Sequence, residues 1–110
     1  MNLLANYQDK IFLFLKKLEK KNIIKIPKNF KGFVVELPPK GQKGEMTCNA
    51  SLLLAKENSL APIEIAEILK KKLLENFSEF KSIDVAGPGF LNFYFNLTFW
   101  KKQLSEIFKF

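Results

Sequence analysis

A glycine–proline–glycine triplet at residues 87–89 constrains this chain more than any other feature. Proline fixes its own φ and lacks an N–H, while the flanking glycines tolerate positive φ, so neither a helix nor a regular strand runs through the triplet. It stands between Ser82–Ala86 and Phe90–Phe95, two short runs with strand character. The arrangement predicts an antiparallel hairpin with a compact loop. A hairpin of this size needs other elements to cover one of its faces.

The rest of the chain supplies them. Leu4, Tyr7, Ile11, Phe14 and Leu18 recur at spacings of three and four, with Leu15 widening the stripe, which predicts a helix over 2–21 that stops at Asn22. Phe33–Leu37 reads as a strand, and Pro38–Glu45, "PPKGQKGE", as a loop. A helix is expected from about Thr47 to Glu57, broken by Asn58 and Ser59. Pro62 suits the first residue of another helix, to about Asn76, with Glu64 and Glu67 near its positive end. Thr98 is the expected cap of a last helix that runs through "FWKKQLSEIFKF" to Phe110. The predicted class is α+β: one domain over residues 1–110, a small, mostly antiparallel sheet packed with about four helices.

Charge narrows the partners. The formal net charge is +7, and every basic residue is a lysine. Ten of the 18 lie in residues 1–43, against Asp9, Glu19 and Glu36, whereas residues 44–97 are slightly acidic. A polyanion is the natural partner, although lysine without arginine also accords with coding bias, and lysine lacks the bidentate fork that reads guanine or grips phosphate. Cys48 is the one cysteine and there is no histidine, which excludes an intrachain disulfide, a Cys–His nucleophile pair and a metal site of the usual kind. Asp9 and Lys10 interrupt any leader-like run, and Ile11–Leu15 is far too short to span a bilayer, so a soluble, cytoplasmic protein without membrane contact is expected.

Alternation sorts the hairpin's return strand. Leu91, Phe93 and Phe95 fall on one side and belong against the helices; Phe90, Asn92 and Tyr94 fall on the other. An aromatic beside an amide, both facing outward, suits one unpaired nucleobase: the ring stacks and the amide donates to and accepts from the base edge. The same pattern also fits a core Phe90 with Asn92 tying down the turn. Lys40 and Lys43, in the glycine-rich loop, are candidates for phosphate contact. That loop lacks the spacing of a nucleotide cradle.

Four stretches in order, Gly44…Asn49, Ala50–Lys56, Pro62–Ala66 and Ala86–Asn92, resemble the N-terminal additional domain of arginyl-tRNA synthetases. Glu45 and Met46 stand where that family usually has Asp and an aromatic. The resemblance implies an α+β module that contacts the outer corner of tRNA, chiefly the D-loop. It implies that Phe90 and Asn92 read a D-loop base, with Tyr94 as a same-face neighbour. It further implies that the chain is part of a longer arginine–tRNA ligase, whose catalytic domain would be a partner and would use ATP with magnesium. The family's catalytic signature includes His-x-Gly-His, and this chain has no histidine, so by itself it is expected to be inactive and to hold no cofactor. "KKK" at 70–72 does not replace the family's lysine-rich catalytic loop.

Other chemistry is weaker. Glu64 and Glu67 are one helical turn apart, but at a helix start, where the dipole favours negative charge. Phe99 and Trp100 suit a core or an interdomain contact. Two other classes compete: a protein–protein docking module that buries Phe90 and Tyr94 without RNA contact, and a peripheral membrane binder using the first helix.

Overall fold

The computed structural model describes residues 2–108. In chain order the elements are α1 (Leu3–Lys20), β1 (Val35–Glu36), β2 (Met46–Cys48), α2 (Ala50–Leu54), α3 (Pro62–Asn76), β3 (Phe80–Ala86), β4 (Phe90–Phe95) and α4 (Leu97–Ile107). Four strands form one sheet in the order β1-β2-β4-β3, every pair antiparallel. The class is α+β, with four helices among the described residues. Lys109 and Phe110, to which the last helix was expected to run, lie outside the described residues.

The periodic stripe of α1 is buried as Tyr7, Ile11, Phe14, Leu15 and Leu18. Asn2 caps its start by accepting from the Ala5 N–H at 3.1 Å. Asn22, at φ +61°, ends it in the left-handed region that asparagine tolerates. In α3, Pro62 occupies the first turn, and the Glu64 carboxylate accepts from the Ala61 N–H at 3.1 Å. Its stripe of Ile65, Ala66, Leu69 and Leu73 joins α1 against the sheet face that carries Leu91, Phe93 and Phe95. At one end, Tyr7, Phe80, Phe95 and Phe99 pack together, Phe95 and Phe99 stacked at 4.0 Å between centroids. Phe99 is thus core, and Trp100 is half-buried against it.

Three expectations need correction. The segment at Thr47 is not helical: Met46–Cys48 is a strand lying between β1 and β4, and a short helix follows only at Ala50. Three residues are too few to show alternation, so the run carries no strand signal of its own. The cap of α4 is Asn96, whose side chain accepts from the Phe99 N–H at 2.8 Å, rather than Thr98. β3 begins at Phe80 rather than Ser82, because an irregularity between those two residues breaks the simple alternation.

Candidate nucleic-acid interface

β4 separates its residues as alternation requires. Leu91, Phe93 and Phe95 are buried in the core. On the opposite face, Phe90 and Tyr94 are half-buried. Across this outer face the register aligns Glu36, Thr47, Asn92 and Asp84 in one row, with Tyr94 beside Ser82 and Phe90 beside Ala86.

Asn92 departs from the outward-pointing pose expected for it. Its side chain is only 3% exposed. Thr47 Oγ1 donates to Asn92 Oδ1 at 2.7 Å, and Asn92 Nδ2 donates to the Lys43 carbonyl at 2.9 Å. The cause is the loop before β2, which crosses over the strand. Gly44 sits there at φ +119°, and a Cβ on it would come within 3.0 Å of Asn92 Cβ. Glycine is therefore required at 44 on two counts, backbone conformation and close approach. An amide has two donors and two acceptor lone pairs, so one N–H and one lone pair of Asn92 remain beyond the latch.

One glycine of the hairpin turn is set by packing. The close approach at Gly89 is to Pro62, whose Cβ would lie 2.9 Å from an added Cβ. The turn is thus seated on the first turn of α3, which fixes where the hairpin stands.

Beside the turn lies a hollow of about 620 Å³, lined by Gln42, Lys43, Glu67, Lys70, Asp84, Val85, Ala86, Gly87 and Asn92. It brings together Asn92 and Lys43 from the residues singled out in sequence. Phe90 and Tyr94 are on the same sheet face but do not line it, and Lys40 is exposed on the turn Pro39–Gln42, outside it. Thr47, Gln42, Lys70 and Asp84 were not anticipated. Thr47 was hidden by the mistaken helix, and Asp84 was discoverable from its place opposite Asn92 in the hairpin.

The Gly44–Asn49 stretch is structural. Glu45 Oε1 accepts from the Phe95 N–H at 2.8 Å and the Trp100 indole at 3.3 Å, tying β4 to α4. Asn49 accepts from the Val34 N–H and donates to the Gly32 carbonyl, holding the approach to β1. Cys48 is sealed in the core, and burial pushes its thiol up to about 12, which removes thiolate chemistry near neutrality. Burial, then the hydrogen bond from its hydroxyl to Glu79 at 2.7 Å, raises the Tyr7 phenol well above its ordinary range. Among the described residues no cluster of three potential metal ligands occurs, and no helix is long and apolar enough to cross a membrane.

Comparison with known proteins agrees with the resemblance. Residues 6–95 match the family described as the arginyl tRNA synthetase N terminal domain. The chain is 33% identical to the arginine–tRNA ligase of Pelagibacter ubique over 107 residues, which is 97% of this chain and 18% of that one. It is 40% identical to the arginine–tRNA ligase of Lawsonia intracellularis over 74 residues, 67% of this chain and 14% of the other. With that of Wolbachia pipientis the identity is 32% over 110 residues, 97% of this chain and 19% of the relative. The chain thus spans less than a fifth of the length of these relatives.

Proposed function

The chain belongs to the arginyl-tRNA synthetase N-terminal domain family, and from that premise we propose that it is a tRNA-binding domain that recognises the D-loop corner of tRNA(Arg). In this reading residues 1–110 serve a longer arginine–tRNA ligase, whose catalytic domain attaches arginine using ATP with magnesium. The domain itself supplies placement and holds no cofactor.

One observation carries the reading: the outer face of β4 sets a half-exposed ring, Phe90, near a polar hollow that contains Asn92 and is rimmed by Lys43 and Lys70. Phe90 stacks on an unpaired base. Asn92, pinned by Thr47 and the Lys43 carbonyl, offers its remaining N–H and lone pair from the hollow's wall. Because the amide is already oriented, little ordering cost falls on binding. Lys43 and Lys40 sit on the loop that covers Asn92, where they meet phosphates as point charges.

The test is a fluorescence titration of the chain with tRNA(Arg) transcripts that vary the D-loop bases. Phe90→Ala is expected to weaken binding by about five- to 150-fold, the range of one lost base stack. Asn92→Ala is expected to flatten discrimination among the variants, whereas Lys40→Gln weakens all of them alike. Equal discrimination by wild type and Asn92→Ala would reject the assignment.

A second reading is favoured by one feature, the exposed apolar side chains of the α4 segment: Leu97, Leu104, Ile107 and Phe108. Their spacing places them along one stripe. This stripe is a surface for docking the catalytic domain of the same polypeptide. Protection of α4, and not of β4, on joining that domain is the expected outcome in hydrogen exchange; protection of Phe90 and Tyr94 instead would favour a docking module without RNA contact.

A further inference from the structure

Three consecutive lysines on α3, Lys70–Lys72, are only partly used by the hairpin reading. Consecutive residues on a helix are about 100° apart, so the three fan around it. Lys70 lines the hollow beside the hairpin. Lys71 is exposed. Lys72 lines a separate groove of about 660 Å³ between α1 and the C-terminal half of α3. From α1 and the capping residue after it the same groove receives Lys10, Lys17 and Lys21, all exposed. These recur at spacings of seven and four, on one side of the helix, and extend over about 16 Å.

The charges there are poorly neutralised. Among the described residues, Lys10, Lys17 and Lys21 have no carboxylate within 4.0 Å; the ion pairs are Lys16–Glu19 and Lys72–Glu75, each at 3.8 Å. Glu75 is the groove's one acid. Lys10 Nζ lies 4.8 Å from the centre of the Tyr7 ring, which orients the ammonium without neutralising it. Lysines near a helix C-terminus offset its negative end. That effect covers Lys17 and Lys21, but neither Lys10, in mid-helix, nor the arrival of Lys72 from another helix.

We propose that the α1–α3 groove is a second RNA-backbone site, and that Lys70–Lys72 carry a continuous phosphate track from the hairpin hollow around α3 to α1. The inference rests on the reading that the chain binds tRNA. Ammonium groups contact phosphates without reading sequence, so this site adds affinity and orientation while the hairpin supplies selectivity. Leu13, 62% exposed between the lysines, is kept on the groove's rim where it can meet ribose.

The experiment is a salt titration of the full chain with tRNA(Arg), comparing wild type with the triple variant Lys17→Gln/Lys21→Gln/Lys72→Gln, each shown folded by thermal melting. The slope of log affinity against log salt is expected to shrink by about two to three, and affinity at low salt to fall about tenfold or more, with discrimination among D-loop variants unchanged. Glu75→Gln, which removes the groove's acid, tightens binding about twofold at low salt. The control Lys28→Gln/Lys31→Gln/Lys56→Gln changes charge equally outside both hollows. A control slope that falls as much as the triple variant's overturns the groove in favour of diffuse charge. A triple variant with the wild-type slope overturns it while leaving the hairpin reading intact. Failure of the wild-type chain to bind tRNA, with or without binding to anionic vesicles, overturns both.

Discussion

The two faces of β4 are made from the same six residues, yet they obey different rules. The inner face, Leu91, Phe93 and Phe95, is apolar and buried, and its contacts follow from alternation alone. The outer face, Phe90, Asn92 and Tyr94, is set by a loop from elsewhere in the chain, which crosses at Gly44 and closes over the amide. Alternation decides which side a residue takes. It does not decide what else arrives on that side. The inner face accordingly holds the domain together, while the outer face joins two half-buried rings to an amide held by the loop.

The largest effect that sharpens this contrast is expected on the inner face. Phe93 is fully buried, so Phe93→Ala should cost about 3–5 kcal/mol in urea denaturation. Phe90→Ala should cost about 1 kcal/mol or less, while on the proposed reading its larger effect is expected on RNA binding. Equal stability costs at the two positions would erase the distinction between the faces.

Next comes the latch. Thr47→Val leaves Asn92 Oδ1 without its donor, and Asn92→Ala leaves the Lys43 carbonyl and the Thr47 hydroxyl unpaired; each should cost about 1–3 kcal/mol. Because they disrupt one bonded pair, the double variant should cost less than the sum, with a coupling of at least about 0.5 kcal/mol. Strict additivity would mean that the two side chains act independently. Gly44→Ala should cost about 1–3 kcal/mol, because alanine at that positive φ is strained before the contact with Asn92 is counted.

Near neutrality the effect of pH is the smallest, because Cys48 titrates only well above it. The Cys48 thiol is raised from its ordinary 9.0 to about 12 by burial, so it is neutral in the folded protein at neutral pH. Its contribution to stability is fully present below the ordinary value and is lost as pH rises from there towards the folded one. Alkylation of Cys48 near pH 8 should therefore track global unfolding. Rapid labelling of the folded chain would show that the core opens at β2.

What was legible in the sequence follows the same division. The stripes of α1 and α3 and the hairpin were readable because each is long or sharply punctuated: a run of apolar residues at helical spacing, a proline at a helix start, a Gly-Pro-Gly turn. β2 was not, since Met46–Cys48 is three buried residues whose strand character comes from pairing with β4 rather than from any local pattern. That miss hid Thr47, and with it the reason Asn92 is held and covered on the outer face. Phe90, Asn92 and Tyr94 were correctly placed on one face. Lys40 and Lys43 were placed on the right loop, but only Lys43 reaches the hollow. Neither hollow was visible beforehand, because each joins side chains far apart in the chain, Gln42 with Asp84 in one and Lys10 with Lys72 in the other.

The central claim, that the outer face of β4 meets RNA while the inner face only supports it, is tested most directly by an NMR titration of the isotopically labelled chain with tRNA(Arg). The expected result is large shifts for the Phe90 ring, the Asn92 side-chain amide and Lys43, with Leu91 and Phe93 nearly still. Shifts confined to α4, or an Asn92 amide unmoved at saturating tRNA, would contradict it.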